Sequence, residues 1–186
     1  MPSAPHKRRR EQTVKILKMV ALGVFLVGIG AIPPPWAIPR IIREITSKDT
    51  PKNRRQVWRR MHELKRRGYI IEGERSYEIS ERGNAILTEE SLWELNIPTP
   101  KQWAREWYLV VFDIPSLKSS VRIPFIRHLQ NLGILFYQRS VWIYPHPIKE
   151  TVLKVARFYG ITPYVSFITA RSIDGSLTLK RKFKIV

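Results

Sequence analysis

The chain has no cysteine in its 186 residues. Disulfides, thiol catalysis and cysteine-based zinc or iron-sulfur sites are therefore excluded, which suits a reducing cytoplasm. Acidic residues are also scarce: 15 Asp plus Glu stand against 33 Lys plus Arg, a net charge of +18. Motifs of chemistry are missing too. The sequence contains no P-loop, no H-E-x-x-H and no G-x-S-x-G. Gly23, Gly28 and Gly30 form no nucleotide fingerprint, since no strand leads into them, and close helix packing explains them better.

What is present is positive charge throughout. Residues 1–100 carry 19 basic against 11 acidic residues and residues 101–186 carry 14 against 4. The excess is not confined to one appended arm, and it implies a polyanionic partner, nucleic acid first and anionic membrane second. With 44% hydrophobic residues the chain can still build a core in each of two small domains.

Met19 to Pro39 is 21 residues without a charge, preceded by Lys7, Arg8, Arg9, Arg10, Lys15 and Lys18. Length and flank allow a membrane anchor. Against that, Pro33-Pro34-Pro35 ends the apolar run short of the ~20 residues a crossing needs. The preferred reading is a buried first helix from Glu11 to Gly30, serving a dimer contact, in a cytoplasmic protein.

The stretch after it follows the order of a winged helix-turn-helix. Apolar residues at 38, 41, 42 and 45 mark one face of a short helix from Trp36 to Ile45. Thr50-Pro51 opens a better helix, with Thr as N-cap and Pro at the first position, which runs to Arg67 before Gly68. Val57, Met61 and Leu64 bury one face of it, leaving Lys52, Arg55, Arg59, His62 and Arg66 on the other. Strands at Tyr69–Ile71 and Ser76–Ile79 then make a hairpin wing with Arg75 at its tip. A fourth helix follows, capped by Ser80. The expected contacts with double-stranded DNA are Arg55 and Arg59 on base edges and Lys52, Arg66 and Arg75 on phosphates. A solvated basic helix on an ordinary domain is the bland alternative. Asn96-Ile97-Pro98-Thr99-Pro100 reads as a linker. The expected organisation is a basic tail over 1–10, the winged helix over 11–95, a linker over 96–102 and a second domain over 103–186.

In that second domain a strand ends at Asp113, an amphipathic helix follows, and two strands meet between Gln138 and Val141. A helix over Ile148–Tyr159 and a strand over Pro163–Thr169 complete a ferredoxin-like β-α-β-β-α-β plan, so the fold class is α+β. Ser176 to Ile185, with Leu177, Leu179, Phe183 and Ile185 between basic residues, reads as a final strand that pairs with a partner's sheet edge or closes its own. The two helices cover one sheet face, and a second copy of the chain is expected on the other.

Several words in this half are family-like. Phe112-Asp113-Ile114-Pro115 after a hydrophobic strand, the helix with Arg122, Arg127 and Leu129 ending at Leu132-Gly133, and Gln138-Arg139-Ser140-Val141-Trp142 resemble the CRISPR-associated small endonuclease fold. More closely, they resemble its version in the middle of PaaX-family transcriptional repressors, where a winged helix-turn-helix precedes it. The resemblance is specific over residues 107–170 and general over 36–90. It implies a repressor that binds operator DNA as a homodimer and needs no cofactor. Such repressors typically continue into a further domain where this chain stops at Val186, and their response to aryl-CoA thioesters is not carried over.

The same resemblance keeps a second function open. In the endonuclease family the Asp ending the first strand holds a divalent metal across a two-fold axis, and by motif that position is Asp113. The alternative is thus a Mg- or Mn-dependent nuclease or CRISPR-adaptation subunit using Asp113, with His128 and His146 as conceivable helpers. The plainer expectation is that Asp113 caps its turn or pairs with Arg122 or Arg139. His128 is then a helix-surface or packing residue and His146 a loop residue. The aromatics Trp107, Tyr108, Phe112, Phe136, Tyr137, Trp142 and Tyr144 alternate between both sheet faces, so they do not form one RNA-stacking platform.

Overall fold

Helix α1 (Ala4–Ala21) buries Ile16, Leu17 and Val20 against Ile42 and Ile45 of α2 (Ala37–Thr46) and Val57, Met61 and Leu64 of α3 (Pro51–Arg66). This computed structural model describes residues 4–23, 37–73, 76–100 and 102–185. The expected continuation of α1 to Gly30, and most of the uncharged stretch Met19–Pro39, lie outside the described residues. Among those described, no helix is long and apolar enough to cross a membrane.

Thr50 caps α3 as its residue type dictates. Its hydroxyl accepts the Asn53 N–H at 3.1 Å, and Pro51 occupies the first turn where no N–H is needed. The helix closes at Gly68, with the Tyr69 N–H returning to the Leu64 carbonyl at 2.9 Å. Strands β1 (Ile70–Glu72) and β2 (Tyr77–Ile79) then pair antiparallel, Ile70 opposite Ile79. Ser80 caps α4 (Glu81–Trp93) by accepting the Gly83 N–H at 3.1 Å. Three helices, a two-stranded wing and a closing helix make a winged helix-turn-helix.

The chain divides between Glu90 and Ser91 into two compact units. Residues 96–100, read above as linker, therefore go with the second unit, where Ile97 is buried in the core.

That core forms between four antiparallel strands and two helices. The sheet order is β4 (Leu135–Gln138), β5 (Val141–Tyr144), β3 (Trp107–Phe112), β6 (Val165–Ala170). Val110 lies opposite both Trp142 and Phe167, so one face is continuous and apolar. Phe125 and Leu129 of α5 (Ser119–Asn131) and Val152, Val155 and Ala156 of α6 (Lys149–Phe158) pack onto it. This is the ferredoxin-like plan, in an α+β chain.

The segment after β6 corrects the sequence reading. Ser176–Phe183 is not a strand but a helix, α7. Leu179 and Phe183 are four residues apart and share a helical face, while Leu177, read as part of a strand alternation, is 72% exposed. Gly175 enters the helix at φ 72°, where a side chain would be strained, and Lys180, Arg181 and Lys182 sit at the C-terminal end that the helix dipole favours for cations. Helix α7 also corrects the expectation for the second sheet face. Trp107, Leu109 and Ile143 on that face are covered by Leu179, Phe183 and Ile185 of the same chain. The edge residue Ile168 remains about half exposed there.

Candidate nucleic-acid interface

Helix α3 sorts its cations by position. Arg54 donates from Nε and Nη2 to the Asp49 carboxylate at 2.7 and 2.6 Å, and this bonding holds the Asp49 carboxyl below its usual pKa. Arg60 pairs with Glu63 at 2.5 Å and donates to Thr13 Oγ1 of α1 at 2.8 Å, fastening α3 to α1. Lys65 pairs with Glu72 of β1, which raises the lysine pKa through that hydrogen bond. These residues hold the fold together.

Lys52, Arg55, Arg59, His62 and Arg66 do none of this. All five are exposed, and among the described residues none has a hydrogen bond or ion pair. At 3.6 residues per turn they fall within about 80° of the helical circumference, and Val57, Met61 and Leu64 lie opposite. The line from Lys52 to Arg66 runs about 21 Å along the helix. A 16-residue helix with one face packed on two others and a continuous unpaired cationic face can lie in a major groove and meet both base edges and phosphates. Arg75 lies outside the described residues.

Sequence reasoning missed two neighbours of this stripe. Trp58 is 41% exposed and sits one step round the helix from His62; its wheel position was the available signal. At the root of the wing, Arg67 and Arg82 both lie over the Tyr69 ring, their guanidinium carbons 5.4 and 4.7 Å from its centre. Arg82 also donates to the Arg67 carbonyl at 3.1 Å. No local sequence pattern joins those three residues, because the hairpin between them sets their meeting.

In the second unit Asp113 directly follows β3, its N–H donating to the Tyr164 carbonyl at 3.0 Å and its side chain exposed. It is paired with neither expected arginine among the described residues. Arg122 instead reaches Ser140 Oγ at 3.4 Å, and Arg139 is exposed in the β4–β5 turn. No group of three or more His, Asp or Glu side chains that could hold a metal occurs among the described residues. His128 is not on the helix surface. It is fully buried, stacked on Trp93 with ring centres 3.7 Å apart, and its Nε2 lies 3.1 Å from the Tyr159 hydroxyl. His146 is buried beside Tyr144, and desolvation lowers its pKa.

Residues 100–181 match the family model of the PaaX protein central Cas2-like domain. By this match the second unit is similar to the central domain of PaaX-family proteins. The match spans the whole four-stranded sheet, its two helices and most of α7. No curated protein matches the chain. The winged helix lies ahead of the matched domain, in the order of elements that the sequence words implied.

Proposed function

We propose that this chain is a DNA-binding transcriptional regulator, a PaaX-like repressor that occupies operator DNA as a homodimer. The observation that carries the reading is the stripe Lys52, Arg55, Arg59, His62 and Arg66, exposed and without partners among the described residues, on the third helix of a winged helix. Leaving five basic side chains together on one face, while their neighbours on the same helix are neutralised by Asp49, Glu63 and Glu72, suits a surface that meets phosphate. Arg55 and Arg59 read base edges, since a guanidinium fork pairs bidentately with guanine. Lys52 and Arg66 hold the backbone, and Arg75 of the wing joins them. Repression by occupancy needs no chemistry and no cofactor. Two reading heads at a fixed separation match a palindromic site, which is why a homodimer is part of the proposal.

The test is equilibrium binding to the duplex upstream of the chain's own gene against a scrambled duplex of equal length, across a salt series. A preference of roughly a thousandfold at physiological salt supports a specific regulator. A ratio near one at every salt overturns it. Mass measurement at micromolar concentration tests the dimer, and a monomer defeats that part.

A further inference from the structure

The function proposed above leaves α7 without a role. Its packing is one-sided: Leu179 is buried, and the Phe183 ring lies 6.1 Å from Trp107 and 5.4 Å from Tyr144. Arg181 lies opposite that face and Lys182 on its flank, both exposed, with Lys184 exposed just beyond the last turn. Lys180 is turned aside over the Trp103 ring at 5.0 Å. Helix α7 contains no acid. Of the four acids in residues 101–186, Glu106 is engaged by the Tyr108 hydroxyl at 3.0 Å and by Arg171 at 3.8 Å. Among the described residues Arg181, Lys182 and Lys184 have no carboxylate partner.

We infer that Arg181, Lys182 and Lys184 form a second DNA-backbone contact, on the central domain, that adds affinity without sequence preference. The inference rests on the DNA-binding reading and extends it to a second surface. Two cations on a helix fixed to a sheet, and a third on the residue that caps it, lose less freedom on meeting phosphate than the same residues on a tail. Lysine acts on phosphate as a point charge, so the set is suited to backbone rather than base edges. A membrane is the less suited anion. An interfacial helix must bury its apolar face in lipid, and here that face is already occupied by Trp107, Leu109 and Ile143.

The experiment uses the full chain, a duplex that it prefers and a scrambled one, and reads the slope of log affinity against log salt. Each lost phosphate contact lowers the slope by about 0.9. The variant Arg181→Gln/Lys182→Gln/Lys184→Gln is expected to lose about 2 to 3 from the slope, with affinity for both duplexes falling by the same factor. The single variants Arg181→Gln and Lys182→Gln, both at solvent-facing positions, carry the same test at about one contact each should the triple variant unfold. Arg181→Lys is expected to keep the wild-type slope. An unchanged slope in the glutamine variants, or a loss confined to the preferred duplex, overturns the inference. So does binding to phosphatidylserine vesicles that disappears in the triple variant while the DNA slope stays put. Arg55→Ala/Arg59→Ala run in parallel separates the two readings. If it leaves the sequence preference intact the α3 assignment fails, whereas the α7 contact is decided by its own slope.

Discussion

The carbonyl oxygen of Tyr69 lies only 2.2 Å from where a Cβ on Gly83 would stand. Helix α4 therefore begins in direct contact with the root of the wing. Ser80 completes the junction by donating to the Gly68 carbonyl at 2.6 Å while accepting the Gly83 N–H. Because the obstructing atom is backbone, it cannot turn aside as a side chain would. Gly83→Ala is expected to cost about 1–3 kcal/mol of stability, and more if the wing shifts. Urea unfolding of the full chain measures it. A variant as stable as wild type would show that α4 does not enter this closely.

Arg55 and Lys52 lie three residues apart on the same exposed stripe but have different expected roles. Arg55→Ala should cost about 1–3 kcal/mol on the preferred duplex and relax the choice of base at one position. Lys52→Ala should weaken all sequences alike and lower the salt slope by about one contact. Equal losses across sequences for both variants would remove the base-reading role from Arg55.

Leu179 fastens α7 to the sheet and is 7% exposed. Leu179→Ala is expected to cost about 2–5 kcal/mol, the usual range for an emptied core position. Leu177→Ala, at a residue 72% exposed on the same helix, should change stability by less than about 0.5 kcal/mol. Were the segment a strand, as its alternation suggested, both residues would face one side and the two variants would behave alike.

His146 gives a pH dependence with a definite sign. Burial lowers its pKa below the ordinary 6.5, so the unfolded chain binds a proton at a pH where the folded chain does not. Stability therefore falls as pH drops through 6.5 toward the folded value, and this contribution is absent well above 6.5. His146→Asn should flatten that part of the profile relative to wild type. Denaturant midpoints between pH 5 and 8 would reveal it, and superimposable profiles would assign the dependence to other groups.

Asp113 has an exposed carboxylate and no acidic cluster around it among the described residues. Asp113→Asn is expected to leave the affinity for the preferred duplex unchanged. Duplex incubated with the chain and Mn or Mg should stay intact. Cleavage that the Asn variant abolishes would restore the nuclease reading.

Much of this was readable from local sequence where one residue type does one local job. Thr50-Pro51 marked the start of α3 and Gly68 its end, because capping and the missing proline N–H act within a single turn. The cationic stripe was readable for the same reason, since helical periodicity alone places Val57, Met61 and Leu64 opposite Lys52, Arg55, Arg59 and Arg66. The strands of the second unit declared themselves by their apolar runs between turns. Alternation failed at Ser176–Phe183: with Leu179 and Phe183 four apart, period 2 and period 3.6 fit equally well, and the sheet face that receives them decides.

Charge and spacing in the sequence thus determined that α3 exists, which face it buries and which cations it shows. Only tertiary structure decided that Arg60 also fastens α3 to α1 through Thr13 and that Lys65 is neutralised by Glu72 of β1, across elements that no local pattern joins. It likewise decided that His128 is a core residue stacked on Trp93 and that the chain covers its own second sheet face with α7. A side chain's burial depends on what the rest of the chain brings against it, and that is settled by packing between segments distant in sequence.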